Sequence, residues 1–515
     1  AESVVAAARA LRFLRERDDA TWPLLFTESA KAIVLNVAAP LALLCETAAL
    51  GSVQYKALSA YTLVSSATSF ASVVFNFLSD GVSAKVSSSV GSHDHLGVRR
   101  NVKYSYLFAL GLGFLCSVLL ISLRKCIFIL AGVSKDVEDL SYGFFILRAL
   151  TVPLIQVTMA NTGILSGYQA LGLAATLNVI RAAFYIIGVF VALVILKGGL
   201  FELGVSGLIS YGLAAIIGAA CVLFKERPRG AAFEDFVLFS MPKFNGLGGG
   251  ETRPTVSESL LESPLLSGEG DDDEQAGGRS RPSNTHFWDF FYDGASMLLR
   301  SIALQASFFV AAILASRLPD SDEALAAHGI VLQLWMLTSY ITDGFANVGT
   351  MIGGKYYGSS SWDILDHLLF QRLTERLLIC GMMVGALFSI LMLLLEDEII
   401  SIFTIKQSPK RGLVVAYVKR VWPLLSLMQP INSLVFVYDG LIYACQRFRY
   451  VRNVMVLGLA FVYTPVLLAF QGSHSLCESK WGIVAIWSAK AAMNVWRLVA
   501  LAVHIHLKVG AQSHQ

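Results

Sequence analysis

Long apolar runs separated by short polar intervals fill most of the chain. A helix crosses the hydrocarbon core with about 20 mostly apolar residues, because its backbone groups must all be satisfied within the segment. Runs of that kind fall at 24–50, 57–79, 104–123, 138–160, 173–196 and 203–224, and again at 288–316, 325–349, 373–395, 413–437, 454–471 and 481–506. The pattern predicts an all-α polytopic membrane protein with about twelve transmembrane helices. The run at 454–471 is the weakest of the set, being short and containing Pro465.

Between the two sets of six the material changes. Residues 225–286 hold the triplet Gly248–Gly249–Gly250, several prolines and the acidic run Asp271–Asp272–Asp273–Glu274. Low hydrophobicity and high charge give such a stretch too little surface to bury, so it reads as a disordered acidic linker. The expected organisation is a solvated lead-in at 1–23, an N-terminal six-helix bundle at 24–224, the linker at 225–286, a C-terminal six-helix bundle at 287–506 and a tail at 507–515. The lead-in mixes Arg9, Arg12, Arg15 and Arg17 with Glu2, Glu16, Asp18 and Asp19, which fits a solvated amphipathic segment better than a signal or transit peptide.

Composition agrees with a lipid-covered chain: 55% of residues are hydrophobic and 15% charged, where a soluble domain carries about a quarter. The net charge of +3 leaves no basic field for nucleic acid. Of the seven cysteines, Cys45, Cys116, Cys126, Cys221, Cys380 and Cys445 lie in or beside apolar runs and only Cys477 in a loop, so neither a disulfide framework nor a zinc site is expected. Basic residues gather in the loops that carry Arg99, Arg100, Lys103, Lys225, Arg227, Arg229, Arg447, Arg449 and Arg452. The opposite loops are poorer or balanced by acids, as at Arg317 beside Asp320, Asp322 and Glu323; Lys406, Lys410 and Arg411 are the exception. The asymmetry places both termini and the linker on the cytoplasmic or equivalent side.

The two sets also repeat. One constant offset carries Asp80, Gly81 and Gly91 onto Asp343, Gly344 and Gly354, and a second, slightly larger one carries Pro153, Gly163 and Gln169 onto Pro430, Gly440 and Gln446. Six spans per half give both halves the same sidedness, so they are parallel repeats: two six-helix bundles related by a pseudo-two-fold axis along the membrane normal. A cleft between two such bundles is the architecture of alternating access, which favours a transporter over a channel or a membrane enzyme. Walker, dinucleotide-glycine and His-Glu-x-x-His motifs are absent, which points to a secondary transporter and not a pump.

The repeated blocks carry a resemblance. Leu332–Gln333–Leu334–Trp335 with Thr342–Asp343–Gly344–Phe345–Ala346, and Gln429–Pro430–Ile431–Asn432 with Val435 through Gly440, resemble the eighth- and tenth-helix patterns of the multidrug and toxic compound extrusion (MATE) family. Cys45–Glu46–Thr47–Ala48–Ala49–Leu50–Gly51 is similar to the first-helix motif of its DinF-like branch, and Ser296 through Ser301 to the arginine-bearing start of the seventh helix. That branch holds bacterial exporters and plant plastid and citrate carriers. The resemblance implies proton- or sodium-coupled antiport of small organic cations or carboxylates, with no other cofactor, in a monomer. It implies a multi-pass protein of a plastid envelope or of a plasma or vacuolar membrane in a eukaryote. Two departures stand out: the family's first-helix Asp is here Glu46, and its fifth-helix Asn and Asp are replaced by Arg181 and Tyr185, with Asn178 upstream.

A charge inside a span costs at least about 2.5–3.5 kcal/mol, so each wants a reason. Glu46, in an apolar run, is the candidate proton carrier; a hydrogen bond to a neighbouring hydroxyl near the interface is the alternative. Asp439 and Arg300 are candidates for an ion or substrate site in the C-terminal half, Arg300 pairing with Asp439 or Asp343. Asn178 and Arg181 are candidate cleft residues, Arg181 suiting an anionic substrate or else snorkelling to the interface. Asp80 and Asp343 stand at expected helix ends, where structural hydrogen bonding at a helix break and ion binding are both open, Asp343 counting with the ion-coupling or cleft candidates. Gly81, Gln333, Gln429, Pro430 and Gly440 are motif positions expected to shape or hold helices. Arg148, Lys490 and Arg497 are left between cleft and interface, and Gln305 and Asn432 between cleft lining and helix contacts. A lipid-linked flippase, or a membrane transferase using His93–Asp94–His95, remains an alternative at this point.

Overall fold

The computed structural model describes residues 21–53, 75–130, 135–226, 283–315, 317–358, 364–403, 411–471 and 481–509, with a few positions between 61 and 68. The linker at 225–286, the lead-in at 1–23 and the tail at 507–515 lie largely outside these residues. In the first half the helices are α1 Trp22–Val53, α2 Asp80–Gly91, α3 His95–Leu130, α4 Lys135–Gly167, α5 Leu171–Phe190 and α6 Leu200–Glu226. The second half has α7 Ser283–Ala315, α8 Ser321–Tyr357, α9 Ile364–Leu394, the short α10 Glu396–Phe403, α11 Arg411–Leu427, α12 Gln429–Ala444, α13 Phe448–Gly458, α14 Thr464–Gln471 and α15 Gly482–Val503. No strand occurs among the described residues.

Among the described residues ten helices are long and apolar enough to cross a membrane, and α11 with α12 makes an eleventh candidate span bent by 52°. Pro430 in the first turn of α12 lacks the N–H that would continue the ladder, which accounts for the break. The expected span at 57–79 falls mostly on residues outside those described. Its described end is a 3-10 turn, Asn76–Leu78, followed by α2. The run with Pro465 does cross, as Phe448–Phe470, because a π-helical turn at Leu459–Tyr463 absorbs the proline.

Asp343 does not stand at the end of a span as expected, and the span that Asp80 was expected to close falls mostly outside the described residues. Asp80 opens α2, and Asp343 lies inside the continuous α8. Hydropathy did not mark α2 because it needs no lipid-compatible surface: Gly81 to Ser87 are all buried.

The helices are inside-out relative to a soluble protein. On α15, Val499 and Val503 are exposed, while Lys490, Asn494 and Arg497 are buried at helical spacing. Apolar side chains face the lipid and charges face inward, where partners exist.

The internal repeat is visible in the backbone. Gln169 and Gln446 both take left-handed conformations, with φ of 60° and 54°, at the ends of α4 and α12. Such angles are uncommon for glutamine, so sharing them at matched positions is a property of the repeat. Gly113 packs on Pro153, and Gly385 on Pro430. Gly163 lies against the carbonyls of Leu78 and Ser79, and Gly440 against the backbone of Ala346. Neither of that last pair has room for a Cβ.

The bundles meet at the end that carries the basic loops. Lys85 on α2 pairs with Asp293 on α7 at 2.6 Å, and the Ser87 hydroxyl donates to the Met351 carbonyl at 2.5 Å. Gly91 and Gly358 close the same seam by direct backbone approach to Lys355 and Ser88. One core, including Phe77, Leu78 and Val82 with Phe290, Met351 and Tyr438, is shared by both bundles here. At the other end each bundle has its own core, around Phe128, Phe144 and Leu203 in one and Trp335, Trp422 and Ile483 in the other. The cleft is therefore sealed at the basic-loop end.

Candidate functional site: two buried ion clusters

In the N-terminal bundle Glu46 is fully buried and is not a lone carboxyl. Its Oε1 accepts from the Arg148 guanidinium at 2.5 Å and its Oε2 from the Tyr61 hydroxyl at 2.8 Å. Arg148 also donates to the Tyr185 hydroxyl at 2.6 Å and lies 5.1 Å from the centre of the Phe144 ring. Burying either charge alone would be costly, and the charge-assisted bonds between them offset the desolvation. Tyr185 stands where the resemblance expects an acid, and it completes the cluster as a neutral ligand of the arginine.

Arg181, one turn before Tyr185, does not join that cluster. Its Nε donates to Asn178 Oδ1 at 3.3 Å, and its guanidinium lies 4.6 Å from the Tyr211 ring. Asn178 in turn donates to the Thr162 hydroxyl at 3.4 Å. The two expected cleft residues therefore serve each other and hold α4, α5 and α6 together.

The C-terminal bundle gathers charge from three helices. Asp439 on α12 accepts from Arg300 of α7 at 3.0 Å and from Arg497 of α15 at 2.5 Å, both through Oδ2. Its Oδ1 has no partner among the described residues. Arg300 was expected to face Asp439 or Asp343, and the structure selects Asp439. A polar ladder runs on from Arg497 to Asn494, from Asn494 to Asn432 at 3.1 Å, and from Asn432 to the Ser339 hydroxyl at 3.1 Å.

Lys490, two turns before Arg497, has no carboxylate partner among the described residues. It is 5% exposed; its Nζ donates to the Ser307 hydroxyl at 3.3 Å and lies 3.9 Å from the Phe308 ring centre. The other charged residue of α15, Arg497, is also a cation. Beside it on α15, the Trp487 indole N–H is unpartnered, as are both ring nitrogens of His328 at 5.5 Å across the interface with α8. Sequence reading left Lys490 and Arg497 undecided; their shared spacing with Asn494 on one face of α15 was the signal.

The remaining candidates serve the seam and the packing. Asp343 Oδ2 accepts from Asn36 Nδ2 at 3.3 Å, and Asn347 donates to Asn36 Oδ1 at 3.2 Å, so this trio bridges α1 and α8. Asp80 is close enough for its charge to act on Arg300. Gln429 is buried and donates across the α11–α12 bend to the Leu425 carbonyl of α11. Gln333 is exposed on α8 and lines neither cluster, because its side of that helix turns outward.

Comparison with known proteins places this geometry. The MatE family model matches residues 32–193 and 297–468, one segment in each bundle. Protein DETOXIFICATION 42 of Arabidopsis thaliana is 26% identical over 212 residues, 41% of this chain and 39% of that protein. Protein DETOXIFICATION 45, chloroplastic, of the same plant is 28% identical over 191 residues, 36% of this chain and 32% of that protein. These matches thus span about two fifths or less of the relatives' own length. The fold matches the outward-facing conformation of a multidrug resistance MATE family transporter of the MOP superfamily, with a TM-score of 0.75 at 12% identity over 95% of this chain and 96% of that one. With the family model matched in both halves, on a repeat that the backbone itself displays, this chain belongs to the MatE family and is a multi-pass membrane protein.

Proposed function

We propose that the protein is a cation-coupled antiporter that exports small organic anions of the carboxylate class by alternating access. The observation that carries this reading is Lys490. A buried ammonium with only a hydroxyl and a ring for company, next to two arginines that share one carboxylate, is a site short of negative charge. A substrate carboxylate supplies it, with Arg497 and the Trp487 indole N–H as further donors. An organic cation entering the same bundle meets three basic side chains against the single carboxylate of Asp439.

The N-terminal bundle supplies the coupling. A proton arriving at Glu46 removes the charge that holds Arg148, and a sodium ion there competes with the guanidinium for the same oxygens. Antiport follows when the carrier changes facing state with either the coupling ion or the substrate aboard, but not empty. The two bundles then have separate tasks. The first-helix motif supports the DinF-like branch, and the chloroplastic relative supports a plastid envelope.

Proteoliposomes test the reading, with labelled citrate and a fluorescent organic cation as alternative probes, each with and without a pH gradient. Gradient-driven citrate movement that disappears in Lys490→Gln supports it. Cation transport in wild type, with citrate immobile, overturns it.

A further inference from the structure

We propose a second binding site, for a phosphate group, in a vestibule between the bundles at the basic-loop end. A cavity of about 700 Å³ opens there, walled by the ends of α2 and α3 from one bundle and by α7, the α12–α13 turn and the end of α15 from the other. That size suits a small ligand or a lipid headgroup. Four basic side chains, Lys85, Arg100, Arg447 and Arg449, line it against two carboxylates, Asp289 and Asp293.

The charges are not internally settled. Lys85 is neutralised by Asp293 at 2.6 Å and sits between the Phe290 and Phe448 rings, at 5.6 and 5.7 Å. Arg100, Arg447 and Arg449 have no carboxylate partner among the described residues. Their guanidiniums present paired N–H donors, the geometry that a phosphate's several acceptor oxygens match and that a single ammonium does not. The turn that the left-handed Gln446 forms fixes the Arg447 backbone, whose N–H donates to the Ile442 carbonyl at 3.2 Å, and its exposed side chain stands at the mouth of the cavity.

Because the walls come from both bundles, an anion bound here bridges them. It binds tightly only while the seam of Lys85, Asp293 and Ser87 is closed, and so stabilises the state with this end sealed, in proportion to its occupancy. Opening this end is a required step of the transport cycle, so the bound phosphate slows turnover. The site is separate from the ion clusters and stands whether or not the exported substrate is a carboxylate.

Thermal unfolding of the purified full-length chain in detergent reads binding directly. Inorganic phosphate, against chloride at equal ionic strength, should raise the midpoint. Phosphatidylcholine nanodiscs with and without phosphatidylinositol phosphate form the lipid arm; a rise in that arm alone identifies a headgroup as the source. In Arg447→Gln/Arg449→Gln the apparent affinity should fall about tenfold or more, each arginine contributing charge-assisted bonds. Transport by that variant, with the clusters intact, should match wild type without phosphate and resist inhibition with it. No midpoint shift from either source, or the same shift in wild type and variant, overturns the proposal.

Discussion

Replacing Asp439 by asparagine removes the one carboxylate that both Arg300 and Arg497 contact in the C-terminal bundle. Removing one partner of a buried ion pair costs about 3–5 kcal/mol, because the other charge stays buried. The asparagine oxygen still accepts one hydrogen bond, which recovers about 1 kcal/mol, and the Asp80 charge acting on Arg300 recovers a further part. A loss of about 2–3 kcal/mol is the net expectation. The two-to-one stoichiometry makes an asymmetric prediction. Arg300→Met leaves a neutral pair, Asp439 with Arg497, and should cost less than Asp439→Asn. Adding Arg300→Met to Asp439→Asn should restore stability, because an uncompensated cation has gone. Thermal unfolding of the four proteins in detergent, completed as a double-mutant cycle, should give a coupling of about 1–3 kcal/mol. Arg300→Met destabilising more than Asp439→Asn, or a double variant worse than both singles, would refute the account of the cluster.

Glu46→Gln should abolish gradient-driven transport while retaining substrate binding, since the neutral amide cannot alternate between pairing with Arg148 and releasing it; normal transport under a proton gradient would remove Glu46 from the coupling mechanism. Gly163→Ala and Gly440→Ala should each destabilise by about 1–3 kcal/mol through overpacking at a seam with no room for a methyl group, and a large difference between them in unfolding midpoint would count against equivalent packing in the two halves.

What the sequence determined by itself follows from local physics. Apolar length marks a span wherever a helix must face lipid, so ten helices and one bent pair were legible as runs. A charge inside such a run is conspicuous, which is why Glu46, Asp439, Arg300 and Arg148 were singled out one by one. The repeat was legible because Gly163, Gly440, Pro153 and Pro430 occupy close approaches that tolerate few other residues.

Partnership was decided only in three dimensions. Arg148 finds Glu46 across 102 positions of chain, and Asp439 draws Arg300 from 139 positions away and Arg497 from 58. No periodicity records such pairings, since packing of whole helices brings them about. The same holds for Asp343, whose helix continues past the apparent end because the other bundle takes the place of lipid. Lys490 shows the difference most sharply. In the sequence it is one more basic residue in an apolar run; in the fold it is buried, because α15 turns it away from lipid and towards Ser307 and Phe308. Burial and the sign of neighbouring charge are properties of a packed interior, and only the tertiary structure assigns them.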